Sequence, residues 1–294
     1  MKGLSSSSVT NVERTEFRVR SYNLAATLES GQAFRWRAVG GAYEGVVGGR
    51  WVRLSPGVDK LHAEAMAPLA DWDWLAGYLQ VGECLETVLA SFPRDAVLAE
   101  AVRQARGLRL LRQEAWECLA SFILSSTKRI VQIRQMVGLL CARYGAPVAV
   151  PCGHTAEFAF PTAERLARCS EAELRASRLG FRAPYLRATA RRIAGGDPDL
   201  ATLGSLELDQ ARSVLMTLPG VGRKIADCVL LFAYGFQRAF PIDVWIGKAL
   251  RRFYLPGRRV ALAEIRRFVD THFGPRAGYA QQYLFHSMRS RIFP

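Results

Sequence analysis

No apolar run in the 294 residues approaches the roughly 18 needed to span a bilayer, so no membrane-crossing helix is expected. The opening residues lack an apolar core of the signal-peptide kind and already carry acids, which predicts a protein that is not secreted. The six cysteines (Cys84, Cys118, Cys141, Cys152, Cys169 and Cys228) form no CxxC pair, and the four histidines are scattered. Zinc modules and disulfide scaffolds need tighter, repeated spacing, so a reduced setting without metal or other cofactor is expected. Lysine is scarce, with five residues, and arginine carries the rest of the positive charge. Acid is the minority sign, 26 residues against 40 basic ones, for a formal net charge of +14. That excess points to a polyanionic partner, nucleic acid before membrane. The plain alternative is a basic protein whose charge serves only solubility.

Residues 1–12 are serine-rich and are expected to be disordered. Residues 13–105 read as a β-rich domain with flanking helices. Across residues 33–38 apolar and basic side chains alternate with period two, which predicts a half-buried strand. Gly-Gly pairs at 40–41 and 48–49 mark tight turns between further strands. After about residue 70 the period lengthens. Leu119, Phe122 and Ile123 share a helical face, and Ile130, Ile133, Met136, Val137 and Leu140 make another stripe. The fold class expected is α+β: an N-terminal antiparallel β-sheet domain followed by a larger all-α domain over 106–294.

The segment richest in chemistry is Leu218-Pro219-Gly220-Val221-Gly222-Arg223-Lys224. Pro219 and the glycines stop one helix, and Ile225, Val229 and Phe232 restart an amphipathic one. Gly220 and Gly222 permit a tight turn and close backbone approach. The restarted helix then points unpaired N–H groups outward, where a phosphate can sit without any base being read. Such a helix-hairpin-helix, at about 211–234, clamps DNA irrespective of sequence; an ordinary glycine-turn αα-hairpin is the alternative. Lys224 lies in the first helical turn, where the dipole disfavours a cation and favours the neutral amine a nucleophile needs. A lysine that merely touches phosphate is the competing reading. Downstream, Pro241-Ile242-Asp243 places a carboxylate where it caps the next helix. A cap of this kind is compatible with stabilising the positive charge that develops as a glycosidic bond breaks.

Residues 108–285 resemble the helix-hairpin-helix DNA glycosylases, specifically the 8-oxoguanine DNA glycosylase/AP-lyase branch. The resemblance rests on Leu110-Leu111-Arg112-Gln113-Glu114, Glu117-Cys118-Leu119, Ser121-Phe122-Ile123 with Ser125-Ser126, the hairpin with Lys224, Ala226-Asp227-Cys228, and Pro241-x-Asp243-Val244. Near the N-terminus, Ser30-Gly31-Gln32-Ala33-Phe34-Arg35-Trp36 is also similar to that branch. Iron–sulfur branches carry four close cysteines after the catalytic region; here none follows Cys228, so no cluster is expected. Alkylbase glycosylases without lyase activity lack the lysine.

The resemblance implies base-excision repair: excision of 8-oxoguanine from duplex DNA through a lysine Schiff base, then β-elimination at the abasic site. It implies that Lys224 attacks the deoxyribose and that Asp243 stabilises the cationic transition state. Gly31 would offer its carbonyl to the proton that 8-oxoguanine carries at N7. Phe285 and Cys228 would sandwich the extruded base, and Gln281 would read its Watson–Crick edge. Phe181 occupies the position of an aromatic wedge and Arg182 that of an arginine to the orphaned cytosine. The chain departs from the family at Thr127-Lys128-Arg129, which replace an asparagine-rich run, at Gln132, which replaces a second arginine, and at Trp245, which replaces a histidine near the phosphate. Weaker discrimination for the opposite cytosine is therefore expected. Without the resemblance, Phe285 and Cys228 read as core, Gln281 as a surface residue and Gly31 as a bulge. The partner expected is damaged double-stranded DNA bound by a monomer, at the nucleoid in the cytoplasm if the chain is bacterial and in the nucleus if eukaryotic. Two readings compete: a glycosylase for another lesion, such as an alkylated purine, and a non-catalytic damage-binding module with Lys224 on a phosphate-facing surface far from Asp243.

Overall fold

The computed structural model describes residues 11–256 and 260–292. Five strands, Val12–Arg18 (β1), Arg37–Val39 (β2), Ala42–Val47 (β3), Arg50–Gly57 (β4) and Lys60–Met66 (β5), form an antiparallel sheet in the order β1-β5-β4-β3-β2. The turns after β2 and β3 are two residues each, Gly40-Gly41 and Gly48-Gly49, all with positive φ between 54° and 78°. Paired left-handed residues match the twist of the strands they join, which is why glycine recurs there. Val52 and Leu54 of β4 and Leu61 and Ala63 of β5 alternate inward, onto Leu28 of Leu24–Glu29 (α1) and Leu75 and Leu79 of Asp73–Leu79 (α2).

Two expectations need correction. Asn11 and Val12, placed in the disordered stretch, are ordered: Asn11 accepts the Ala67 N–H at 3.0 Å and Val12 pairs with Met66. Residues 1–10 lie outside the described residues. The strand expected over residues 33–38 shrinks to β2, because the alternation before it serves two cores rather than two faces. Phe34 meets Phe122 edge-on at 5.5 Å in the helical core. Trp36 is buried in the sheet core, and its Nε1 donates to the Tyr78 hydroxyl at 2.9 Å. Arg35, read as solvent-facing, is only 9% exposed, lies 3.6 Å from Glu117 and donates to the Phe158 carbonyl. A loop threaded between two packed bodies produces the same period as a strand.

The helical domain follows as Leu85–Ala90 (α3), Ala96–Gln104 (α4), Ala115–Leu124 (α5), Ile130–Tyr144 (α6), Ala163–Arg168 (α7), Glu171–Arg175 (α8) and Ala183–Ala194 (α9). Leu208–Met216 (α10), Arg223–Val229 (α11), Val244–Ala249 (α12), Leu262–His272 (α13) and Ala277–Ile292 (α14) complete it. Between α6 and α7, Pro147–Val148 and Glu157–Phe158 form a short two-stranded ladder. Helix α5 is buried on nearly every side, Trp116 and Cys118 to Leu124, so it is the axis of the domain rather than a surface helix with one apolar stripe. Gln32 joins the two cores: its amide donates to the carbonyls of Thr27 and Arg109 at 2.9 and 2.8 Å and accepts the Leu111 N–H at 2.8 Å. Gln113 returns a bond to the Gln32 carbonyl at 2.7 Å. These bonds hold the loop on which Gly31 sits.

Candidate active site

Helix α10 ends at Met216, and the chain turns through Gly220, whose φ is +78°. A Cβ there would be strained and would also come 2.7 Å from the Tyr185 side chain. Gly222 precedes α11 as its N-cap and offers no capping side chain, so the N–H groups of the first turn stay free for an external acceptor. The two helices of the hairpin are locked by a buried ion pair, Arg212 Nε to Asp227 Oδ1 at 2.6 Å, with Arg223 3.8 Å from the same carboxylate. Arg212 was not singled out from the sequence; the available signal was a basic residue set between Ala211 and Leu215 on the buried face of α10.

Lys224 leaves the first turn of α11 toward a cavity of about 1330 Å³. Its Nζ donates to the Ser125 hydroxyl at 3.1 Å and stands over the Phe122 ring, 5.2 Å from the centroid. Asp243 lines the same cavity and caps α12, accepting the Ile246 N–H at 2.8 Å. Burial lifts the Asp243 carboxyl above the ordinary range, against the pull of the Ile246 N–H and the Lys224 cation. Asp243 is the one carboxylate among the described lining residues, whereas Lys128, Arg129, Lys224, Lys248, Arg251 and Arg289 all face the cavity. The cavity is therefore suited to a polyanion, with a single carboxylate among its described lining residues.

A second group lines the same cavity. Cys228, one helical turn beyond Lys224, is buried, and burial pushes its thiol up to about 12 despite the nearby lysine, so it remains a neutral sulfur. Phe285 and Gln281 arrive from α14, and Gly31 from the loop before β2. Gly31 has φ +83°, and a Cβ there would lie 2.5 Å from Ile130 Cδ1 and 3.4 Å from Phe285 Cε1. The Gln281 Nε2 donates to the Pro241 carbonyl at 3.1 Å, while its Oε1 is buried with no partner. Thr127, Lys128, Arg129 and Trp245 also line the cavity, and Lys248 lies over the Trp245 ring at 5.1 Å.

Five of the residues singled out from the sequence stand elsewhere. Gly220 and Gly222 belong to the exposed hairpin. Gln132 is turned back on its own helix, its Oε1 accepting the Arg129 N–H at 3.1 Å at the start of α6. Phe181 is 55% exposed, as a wedge requires. Arg182 is buried: its guanidinium donates to the Ser126 carbonyl and, at 2.8 Å, to the Thr127 hydroxyl, and it lies 4.2 Å from the Phe181 ring centre. In this arrangement Arg182 ties the Phe181 turn to the turn after α5. Ser125, Phe122 and Gln32 were within the quoted sequence runs, but their parts in the site came only with the fold.

A glycine-turn hairpin that sends an amine, and a later helix N-terminus that sends a carboxylate, into one cationic cavity are the parts a base-excision DNA glycosylase with lyase activity needs. Residues 14–119 match the 8-oxoguanine DNA glycosylase N-terminal domain, and residues 120–270 match the HhH-GPD superfamily of base excision DNA repair proteins. The N-glycosylase/DNA lyase of Arabidopsis thaliana is 32% identical, over 89% of this chain and 76% of that protein. MBOgg1, solved with a low-affinity DNA ligand, superposes with a TM-score of 0.89 at 35% identity, covering 96% of this chain and 99% of that one. The 8-oxoguanine glycosylase/lyase of Clostridium acetobutylicum, bound to DNA with cytosine opposite 8-oxoguanine, gives a TM-score of 0.86 at 30% identity, covering 92% and 93%. This chain belongs to the HhH-GPD base-excision repair superfamily, in the N-glycosylase/DNA lyase family that carries the 8-oxoguanine glycosylase N-terminal domain. Among the described residues no helix is long and apolar enough to cross a membrane.

Proposed function

We propose that this protein removes 8-oxoguanine from duplex DNA and then cleaves the strand at the abasic site, working where the genome lies. The observation that carries the lesion assignment is the Gln281 side chain. Its amide nitrogen is committed to the Pro241 carbonyl, and its oxygen is a buried acceptor without a partner beside Phe285 and Cys228. Leaving such a group unsatisfied costs about 1–3 kcal/mol, which a ligand donor restores. Guanine-type bases present adjacent N1–H and N2–H donors on that edge; adenine-type bases present an acceptor at N1 beside the single N6 amino donor. The acceptor thus favours an oxidised guanine over an alkylated adenine. The Gly31 carbonyl would then separate 8-oxoguanine from guanine by the extra N7 proton. An extruded base would stack between the Phe285 ring and the neutral Cys228 sulfur.

In the chemistry that follows, Lys224 first gives up a proton, and the resulting amine attacks C1′. The C–N bond forms as the base leaves with the electron pair of the glycosidic bond, and Asp243 opposes the positive charge on the sugar. Opening of the sugar ring gives a protonated Schiff base, and loss of a C2′ proton expels the 3′ phosphate. A damage-binding module without chemistry would keep Lys224 away from Asp243, whereas the two line one cavity. With Gln132 capping its own helix and Arg182 held by Ser126 and Thr127, the opposite cytosine is read weakly. Each missing bidentate contact would forgo about 1–3 kcal/mol of discrimination.

The test is a duplex panel of 8-oxoguanine opposite each of the four bases, with alkylated purines and oxidised pyrimidines as competitors, read by single-turnover excision and borohydride trapping. Excision of 8-oxoguanine above the other lesions is expected, with trapping abolished in Lys224→Gln while DNA binding persists. A preference for alkylated adenine overturns the lesion assignment, and full trapping by Lys224→Gln overturns the nucleophile. Cytosine preferred by several hundredfold would show that the departures at Thr127 and Gln132 do not weaken opposite-base reading.

A further inference from the structure

We infer that Ser125 is a positioning residue for the Lys224 amine, an inference that rests on Lys224 being the nucleophile. Ser125 ends α5 as its C-cap, with backbone φ −72° and ψ −15°, so its place is fixed by the most buried helix of the domain. Its hydroxyl has one proton, and that proton is directed back along the helix: Ser125 Oγ lies 2.7 Å from the Phe122 carbonyl, which can only accept. The bond to Lys224 Nζ at 3.1 Å must then run from lysine to serine.

The direction matters for a nucleophile. A hydroxyl free to rotate would donate to the lone pair of a neutral amine and tie up the electrons that must reach C1′. Committed to Phe122, the Ser125 oxygen takes an N–H instead and does not compete for the lone pair. Phe122 supplies the second restraint, because its ring face lies under Nζ and is itself clamped by Phe232 at 5.6 Å and Phe34 at 5.5 Å. One helix end thus fixes the position of the nitrogen and keeps its own hydroxyl proton off the lone pair. Misplacing a reacting atom by about 1 Å costs on the order of a hundredfold in rate.

The experiment compares Ser125→Ala, Ser125→Cys and Ser125→Thr with Lys224→Gln. All are tested as the full chain on duplexes carrying 8-oxoguanine opposite cytosine. At saturating enzyme, Ser125→Ala and Ser125→Cys are expected to slow single-turnover excision about 10- to 100-fold, with borohydride trapping slowed in proportion. DNA affinity should be unchanged, so the loss falls on kcat and not on KM. Ser125→Thr keeps the hydroxyl and its bond to the helix carbonyl, and is expected to retain the rate within a few-fold. Ser125→Cys keeps the shape, so it carries the test if alanine at this cap prevents folding. Wild-type rates in Ser125→Ala and Ser125→Cys beside an inert Lys224→Gln would overturn the role of Ser125 and leave that of Lys224 standing. Equal losses in affinity and rate, or a threonine variant as slow as alanine, would likewise overturn it. Full trapping by Lys224→Gln would instead remove the lysine assignment and this inference with it.

Discussion

Asp227 and Asp243 are two carboxylates of the same neighbourhood, and burial raises both above the ordinary range. Their surroundings differ in what opposes that burial. Asp227 is 4% exposed and answered by guanidinium groups, with Arg212 at 2.6 Å and Arg223 at 3.8 Å. Its charge is spent on holding α10 against α11. Asp243 is met by backbone N–H groups, that of Ile246 at 2.8 Å, and lines a cavity together with an amine. A carboxylate already neutralised by arginine has little left for a reaction, whereas one held by neutral backbone N–H groups keeps its charge for a cation that forms beside it. The difference separates a structural acid from a poised one better than burial does.

The comparison can be broken most directly by isosteric substitution. Asp243→Asn keeps the cap, since asparagine accepts the Ile246 N–H as well as aspartate does. Stability should therefore change by less than about 1 kcal/mol, while excision per folded molecule falls on the order of 10²–10³-fold. A wild-type single-turnover rate in this variant would leave Asp243 as a cap only. Asp227→Asn should behave oppositely. Removing the buried partner leaves Arg212 only the exposed Asp209 carboxylate and costs about 3 kcal/mol of unfolding free energy, measured by denaturant titration. Excision per folded molecule should stay within a few-fold of wild type, and an early loss of rate with intact stability would erase the distinction.

The smallest effect expected is in pH dependence. Because burial raises Asp243, the carboxylate is protonated on acidification before an ordinary aspartate would be, at about 3.9. The charge needed by the reaction is thus present at high pH and lost as pH falls through the raised value. A single-turnover pH profile should show an acid limb lying above the ordinary aspartate range, and that limb should disappear in Asp243→Asn. An identical limb in the variant would assign it to another group.

The parts of the site that sequence made legible are those whose chemistry is local. The hairpin can be read from Pro219, Gly220 and Gly222 because turn geometry is a property of adjacent residues. Asp243 can be read as a cap because Pro241 breaks the preceding structure just before it. Gly31, Gln281 and Phe285 needed family resemblance, since residues so far apart meet only once the loop before β2 packs against α14. Gln32 was invisible as a staple because all of its partners are set by how the two cores dock. The apparent strand over residues 33–36 misled for a related reason: alternation records which side chains are buried and not what buries them.

By itself the sequence determined the polyanionic character of the partner, the change from period two to helical period, the glycine-turn hairpin and the scarce lysine with an aspartate downstream. Each is encoded in charge count, spacing or turn chemistry that survives without tertiary contacts. Only the tertiary structure decided that Ser125 and Phe122 hold the amine, that Gln281 keeps an unsatisfied acceptor, that Gln132 serves its own helix, and that Arg182 is occupied by Ser126 and Thr127. A hydrogen bond depends on where two groups lie to within a fraction of an ångström, and that is fixed by packing across the whole fold rather than by position along the chain.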